Sequence, residues 1–119
     1  MPENYSPKVL DHYRNPRNFG KLKKPTHSAS ALNPLCGDEI TVYIHVQGSI
    51  IKEIKYEARG CALLIAAASV LAERLPNLEL RIENLKKEDI EKMLDVKVDK
   101  AREGCATLVL QTIKKSLSF

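Results

Sequence analysis

Tryptophan is absent from this sequence, and other aromatic residues are few: two Phe and four Tyr in 119 residues. So few aromatic side chains provide little material for the stacking platform on which single-stranded nucleic acids bind. The net charge is only +4, and basic and acidic residues are mixed along the chain, so no basic stripe for a nucleic-acid backbone is present. Nucleic acid is therefore not an expected partner.

Long hydrophobic runs are also missing. The longest uncharged apolar run is the 12 residues from Cys61 to Ala72, which is too short to span a bilayer. The N-terminal residues contain no apolar signal segment, so we expect a cytoplasmic protein with no membrane partner. Three cysteines are an odd number in a reducing compartment and cannot form a disulfide framework. They are buried fillers, reactive thiols or metal ligands.

Hydrophobic periodicity predicts an α+β fold, with a three-stranded antiparallel sheet packed on one face by helices. Ser6-Pro7 is typical of a helix start, and Asn15-Pro16 of its end, so a short N-terminal helix precedes the sheet. Alternation of apolar and polar residues predicts strands at 41–46 and 51–58, with a turn at 47–49. A third strand is expected at 29–35, which completes a small meander.

The second half of the sequence is predicted to be helical. Residues 61–75 are apolar nearly all round and should form the central buried helix, which Pro76 ends. Amphipathic patterns predict further helices at 86–94 and 102–117, whereas 77–83 is ambiguous. The Pro-, Gly- and Lys-rich residues 15–30 predict a surface loop, and an N-terminal helix that is loosely attached or completed by a partner. No internal boundary is visible, so we expect one domain over residues 1–119.

Each cysteine lies next to a glycine at a predicted junction between elements; the three are Cys36, Cys61 and Cys105. The last two open predicted helices, where unpaired N–H groups favour thiolate over thiol. Asp38 follows Cys36 by two residues, and its carboxylate could complete a tetrahedral site with three thiolates for zinc or a cluster iron. The spacings of 25 and 44 residues contain no Cys-x-x-Cys, so buried structural cysteines stay an alternative. A thiol enzyme would need a base beside one cysteine, and no Cys-His spacing suggests one.

Taken together, the motifs resemble the IscU / NifU N-terminal / SufU family of iron–sulfur cluster assembly scaffolds. The likeness covers nearly the whole chain. The matching segments are YSPKVLDHY at 5–13, NPRNFG at 15–20, NPLCGD at 33–38, GCA at 60–62, and Cys105-Ala106 followed by Leu108.

The resemblance implies a SufE/NifU-like two-layer domain that acts as a scaffold rather than as an enzyme. Such proteins receive sulfur as persulfide from a cysteine desulfurase, receive iron, build a [2Fe–2S] cluster and pass it to apo-protein acceptors. Carried over, Cys36, Cys61 and Cys105 are the thiolate ligands and Asp38 is the labile oxygen ligand. A carboxylate is a harder and weaker ligand for a cluster iron than a thiolate, which suits a site that must release its cluster. Self-association into a homo-oligomer stays open.

Two features differ from particular branches of that family. In bacterial IscU proteins a His precedes the third Cys, within a Leu-Pro-Pro-Val-Lys segment read by an Hsp70 chaperone. Here Gly104 stands at that position and the Pro-Pro segment is absent, so Asp38 is the expected fourth ligand. Arg102, three residues before Cys105, resembles the SufU branch, although the 44-residue gap leaves little room for the SufU insertion. The alternative function is a sulfur-transfer protein that holds zinc on the same residues and accepts persulfide on Cys61 or Cys105.

The histidines are not expected to be ligands. His12, on the N-terminal helix, is interpreted as a packing or hydrogen-bonding residue, and His45 as solvent-facing.

Overall fold

Three antiparallel strands form a meander in the order β1-β2-β3. The structure is a computed structural model that describes residues 5–34, 37–77 and 82–117. Within these residues the strands are β1 (His27–Asn33), β2 (Asp38–Gln47) and β3 (Ile50–Arg59). The three predicted strands are therefore confirmed, and each of the predicted pair at 41–46 and 51–58 extends further than the alternation alone indicated. The prediction of a surface loop over 15–30 is wrong for residues 27–30, because they pair with β2 as the first part of β1, which starts and ends earlier than the predicted 29–35.

Alternation of side chains along the strands divides the sheet into a core face and an exposed face. The buried side of β2 carries Asp38, Ile40, Val42 and Ile44, while the residues between them are exposed or half-buried. β3 follows the same rule, and its register with β2 shifts between His45 and Val46. One face of the sheet is thus available to be covered by helices.

The helices after the sheet are α2 (Ala62–Arg74), α3 (Lys87–Leu94) and α4 (Glu103–Ser116). Short 3-10 segments occur at Ile82–Asn84 and Lys100–Arg102. α2 packs on β3, and α4 packs on β1 and β2, which gives the two-layer α+β arrangement expected from the sequence. The ambiguous stretch at 78–81 lies outside the described residues. No helix in the described part of the chain combines the length and apolarity needed to cross a membrane.

The N-terminal helix α1 (Pro7–Arg14) starts where the sequence predicts, with the Ser6 side chain accepting a hydrogen bond from the Val9 amide. The expectation that it is loosely attached is wrong. Val9 is fully buried against the core, and Ser6 Oγ also donates to the carbonyl of Leu94 at the end of α3. Because α1 packs along the apolar α2, its attachment depends on a tertiary contact that the polar loop composition does not reveal.

The chain after α1 does more than cross the surface. Phe19 forms an isolated parallel bridge with Tyr56, and the Gly20 amide donates to the Tyr56 carbonyl over 2.8 Å. This contact covers part of the free edge of β3, an edge that would otherwise present unpaired backbone groups.

Antiparallel pairing brings the start of β2 and the end of β3 to one end of the sheet, where Glu39 pairs with Arg59. α2 begins three residues after β3 ends, and α4 packs on β2. The junctions that carry Asp38, Cys61 and Cys105 therefore belong to neighbouring elements.

Candidate metal centre

Asp38 is the first residue of β2 and is only 1% exposed. Its Oδ1 accepts a hydrogen bond from the Cys61 amide over 3.3 Å. Its Oδ2 is buried with no hydrogen-bond partner among the described residues. A buried carboxylate oxygen without a partner is unfavourable unless a proton or a cation compensates it, so this atom suits a metal ligand.

Cys61 is the N-cap residue of α2, and its side chain makes no capping hydrogen bond. The thiol is free and half-buried. Gly60, immediately before it, lets the backbone approach the side chains of Asp38 and Leu64 closely. A Cβ at this position would lie 2.7 Å from Leu64 Cδ2 and closer still to Asp38 Oδ1. Only glycine lets the chain pass this carboxylate, which confirms the expectation of close backbone approach at this junction.

Cys105 lies in the first turn of α4 and is 4% exposed. Burial raises the pKa of this thiol far above its usual range, and the Asp38 carboxylate and the Cys61 thiol raise it further. The expectation that a helix N-terminus favours the Cys105 thiolate is therefore wrong for the metal-free protein, because desolvation and the negative neighbour outweigh the helix dipole. A bound cation would reverse this balance, since a coordinated thiol loses its proton.

The structure brings these three residues together. The ligand atoms of Asp38, Cys61 and Cys105 all lie within 4.8 Å of one another. Cys36 lies outside the described residues. Two sulfurs and one carboxylate oxygen at this separation form a donor set that suits zinc or a cluster iron.

A cationic residue stands beside the cysteines. The Arg102 guanidinium donates a hydrogen bond to the Tyr5 hydroxyl and also lies over the Tyr5 ring, 5.3 Å from its centroid. The backbone amide of Arg102 in turn donates to the Asp99 side chain, which caps the 3-10 segment before α4. The position of Arg102 before Cys105 marks it in the sequence, whereas no local pattern links it to Tyr5, which lies 97 positions away.

The histidines lie elsewhere, as expected. His12 is buried against α2, where a 2.7 Å hydrogen bond joins its Nδ1 to Ser69 Oγ. Ser69 Oγ also accepts from the Arg17 amide over 2.9 Å. Burial lowers the pKa of His12, and the nearby Arg17 charge lowers it further, although the Glu73 and Asp11 carboxylates oppose this. His12 is thus a hydrogen-bonding residue of the α1–α2 contact.

Comparison with known families agrees with this geometry. A family model described as the NifU-like N terminal domain matches residues 4–118. This chain belongs to the NifU-like N terminal domain family. The resemblance noted from the sequence motifs is therefore confirmed.

Curated relatives of this NifU-like chain include full-length scaffolds and larger proteins. It is 35% identical over 118 residues to the "Bifunctional protein NifU/MnmA" of Rubrobacter xylanophilus, covering 98% of this chain and 24% of that protein. It is 45% identical over 69 residues to the "Iron-sulfur cluster assembly scaffold protein IscU 1" of Archaeoglobus fulgidus, covering 58% of this chain and 45% of that protein. The chain thus spans less than half of the length of these two relatives.

A third relative carries a different activity in its name. The chain is 27% identical over 132 residues to the "Zinc-dependent sulfurtransferase SufU" of Bacillus subtilis, covering 96% of this chain and 89% of that protein. Among solved structures, the N-terminal NifU-like protein of Brucella abortus superposes with a TM-score of 0.80 at 20% identity, covering 97% of this chain and 92% of that one. That likeness shows the fold, and it confirms the expected NifU-like two-layer architecture.

Proposed function

We propose that this chain is a scaffold on which a [2Fe–2S] cluster is assembled from iron and desulfurase-derived sulfur and then passed to apo-proteins. The observation that carries the proposal is the convergence of Asp38, Cys61 and Cys105 within 4.8 Å at the start of three elements. Membership of the NifU-like N terminal domain family over residues 4–118 supports it. In this proposal residues 1–119 form one scaffold domain.

In this proposal Cys36, Cys61 and Cys105 are the thiolate ligands, and Asp38 is the oxygen ligand. Soft thiolates hold iron and zinc firmly, whereas the carboxylate of Asp38 is a harder ligand that an incoming acceptor thiolate can displace. Asp38 is suited to this role because one of its oxygens is held by the Cys61 amide while the other has no hydrogen-bond partner among the described residues. The backbone bond keeps the carboxylate at the site when its ligand oxygen is exchanged.

Burial supplies the second condition for a scaffold. Cys105 is 4% exposed, so its bond to a metal is shielded from water, whereas the half-buried Cys61 is reachable from outside. A site with one shielded and one accessible thiol can hold its cargo and still react with a partner. The partners implied are a cysteine desulfurase and apo iron–sulfur acceptors, and the reaction would take place in the cytoplasm.

One observation favours a second candidate function, which is sulfur transfer on a resident zinc ion. The Bacillus subtilis relative is named a zinc-dependent sulfurtransferase, and the donor set of two sulfurs and one oxygen suits zinc as well as iron. In that case zinc would stay bound to the same residues, and a cysteine released from it would accept persulfide sulfur.

Anaerobic reconstitution with iron and sulfide separates the two functions. A scaffold should take up iron and sulfide in a 1:1 ratio, develop visible absorbance and convert an apo-ferredoxin to its holo form. A zinc-dependent sulfurtransferase should stay colourless, retain zinc and accept labelled sulfur from a cysteine desulfurase. The second result would overturn the scaffold proposal.

A further inference from the structure

Tyr5 and Arg102 form a contact that the proposed ligand set does not use. The Arg102 guanidinium donates to the Tyr5 hydroxyl, and its central carbon lies 5.3 Å from the centroid of the Tyr5 ring. An exposed arginine ordinarily samples many rotamers, but one that is both hydrogen-bonded and stacked on an aromatic face is confined to few of them. The contact therefore fixes a positive charge at one place on the surface.

That place is next to the thiols. Tyr5 and Arg102 line a cavity of about 140 Å³ together with Leu63, which follows Cys61 by two residues. Arg102 itself precedes Cys105 by three residues. Residues three apart at a helix start are neighbours, so Arg102 stands beside Cys105, and the sulfurs of Cys105 and Cys61 lie within 4.8 Å of each other.

The remaining charges at this cavity leave it positive overall. Lys97 is a second cation in its lining, and Asp99 is the one anion among the described residues that line it. The Asp99 side chain accepts a hydrogen bond from the backbone amide of Arg102, so it serves as a cap for the 3-10 segment. An anionic molecule that enters the cavity therefore meets a net positive charge that includes the fixed guanidinium.

We propose that Arg102 steers anionic sulfur donors to the Cys61 thiol and that Tyr5 is the positioning residue that holds the guanidinium in place. This inference rests on the proposed function, because it concerns how sulfur reaches the site. Cys61 is chosen over Cys105 because it is half-buried, whereas Cys105 is 4% exposed.

The chemistry explains why a cation is needed. The Cys61 thiolate attacks the outer sulfur of a donor persulfide, R–S–S⁻, so that a bond forms between Cys61 Sγ and that sulfur. The S–S bond of the donor breaks, and the donor leaves as the thiolate R–S⁻ with the electron pair, without any oxidant. Two anionic sulfurs must approach each other in this step, and a fixed positive charge offsets their repulsion.

Charged methanethiosulfonate reagents test the steering directly. The full-length, metal-free protein is treated with the sulfonatoethyl reagent, which is negative, or with the trimethylammonioethyl reagent, which is positive. Modification of Cys61 is followed on the tryptic peptide 60–74, which contains no other cysteine. Both reagents attack the same thiolate, so the ratio of the negative to the positive rate constant cancels the thiolate fraction and reports the local potential.

Arg102→Gln should lower this ratio about tenfold at low salt, because the charge acts in opposite directions on the two reagents. Arg102→Lys should retain most of the ratio, since it restores the charge. Tyr5→Phe keeps the ring but removes the hydroxyl, and it should lower the ratio by about threefold as the guanidinium becomes mobile. In about 1 M salt the differences should disappear, because the screening length is then only about 3 Å.

Lys52→Gln is the matched control, because it removes the same charge from an exposed position at the opposite end of β3. Its ratio should equal that of the parent. A ratio for Arg102→Gln that stays within about twofold of the parent, or an equal drop in Lys52→Gln, would overturn the steering role. If Arg102→Gln does not fold, an absence of salt dependence in the parent ratio overturns it instead. Cluster reconstitution of the parent is independent of these rates, so failure of the scaffold proposal would be seen separately.

Discussion

The backbone amide of Cys61 donates a hydrogen bond to Oδ1 of Asp38 over 3.3 Å, which ties the start of α2 to the start of β2. The bond satisfies one of the N–H groups left open at the beginning of a helix. The other oxygen, Oδ2, is buried with no hydrogen-bond partner in the described part of the chain, and a carboxylate oxygen of Asp38 lies within 4.8 Å of the Cys105 sulfur. Asp38 is therefore both a structural residue and a proposed ligand, and experiments must separate the two roles.

Replacing Asp38 by Ala should slow cluster transfer while leaving the cluster at least as persistent as in the parent. The variant lacks the exchangeable oxygen at which an acceptor thiolate is proposed to enter. We expect transfer to an apo-ferredoxin to slow by about tenfold, the scale of other changes around metal ligands. Cluster absorbance during transfer, with thermal melts of both proteins, provides the measurement.

Asp38→Asn is the control for the structural role. Asn keeps an oxygen that can accept a hydrogen bond from the Cys61 amide. The melting temperature of Asp38→Asn should therefore exceed that of Asp38→Ala, in which loss of a buried hydrogen bond costs about 1–3 kcal/mol. Transfer at the parental rate by folded Asp38→Ala would rule out the labile-ligand role.

Each of Cys36, Cys61 and Cys105 should be required for stable metal binding. Serine keeps the approximate volume but is a far poorer ligand for iron or zinc at neutral pH. Single Cys→Ser variants should retain the fold and lose stoichiometric iron or zinc, as measured by elemental analysis beside circular dichroism. Three variants that each held a full complement of metal would contradict thiolate ligation.

Gly60→Ala should damage both stability and the site. The added methyl would meet Asp38 Oδ1 and Leu64 Cδ2, so β2 or α2 must shift, at a cost of about 1–3 kcal/mol. Denaturant unfolding measures this change, and metal titration should show weaker binding because Cys61, the residue after Gly60, is displaced from the other ligands.

Gly104→Ala is the matched comparison, because this glycine also precedes a proposed cysteine ligand. A Cβ there would lie 3.1 Å from Asn33 Nδ2, a longer and less severe contact than those at Gly60, and Gly104 lies within α4, where Ala is favoured over Gly by about 1 kcal/mol. Its stability should therefore stay near that of the parent. Equal losses of stability in the two variants would show that the contact between the added methyl group and Asp38 does not cause the loss in Gly60→Ala.

The stability of the protein should fall on mild acidification because of His12. Its folded-state pKa is lowered by burial, so the neutral ring is favoured in the folded protein. For such a group the contribution to the free energy of unfolding is complete above the unfolded pKa of about 6.5. It is lost as the pH falls from there to the lower folded value. Unfolding titrations between pH 8 and about 5 measure the effect.

His12→Asn should remove that pH dependence, since Asn retains a hydrogen-bonding group near the Nδ1 position that contacts Ser69 but does not titrate. Asp11 also has a lowered pKa, caused mainly by its hydrogen bond to Arg17. Its effect on stability appears only below its unfolded pKa of about 3.9, which is a separate pH range. A pH profile identical in parent and variant would exclude His12 as the titrating group.

Much of the fold follows from patterns that repeat over a few residues. Ser6-Pro7 predicts the start of α1, and the alternation around Val42 and Ile54 predicts β2 and β3, as the structure confirms. The apolar run after Cys61 predicts α2 as the buried helix. The candidate site could be proposed for a similar reason, because a glycine next to each cysteine indicates junctions where backbone and ligand atoms approach closely.

Only the tertiary structure decided how these junctions meet. The sequence favours a Cys105 thiolate at a helix N-terminus, whereas burial beside Asp38 raises the pKa of that thiol, because desolvation depends on neighbours from distant elements. The polar segment after α1 suggests that this helix is loosely attached to the rest of the domain, yet Val9 of α1 is fully buried against the core. The Tyr5–Arg102 contact joins residues 97 positions apart, and no periodicity of two or 3.6 residues carries information about such a pair. The sequence by itself thus determined the elements and the candidate ligands, and the packing of helices on the sheet determined which charges and hydrogen bonds surround the cysteines.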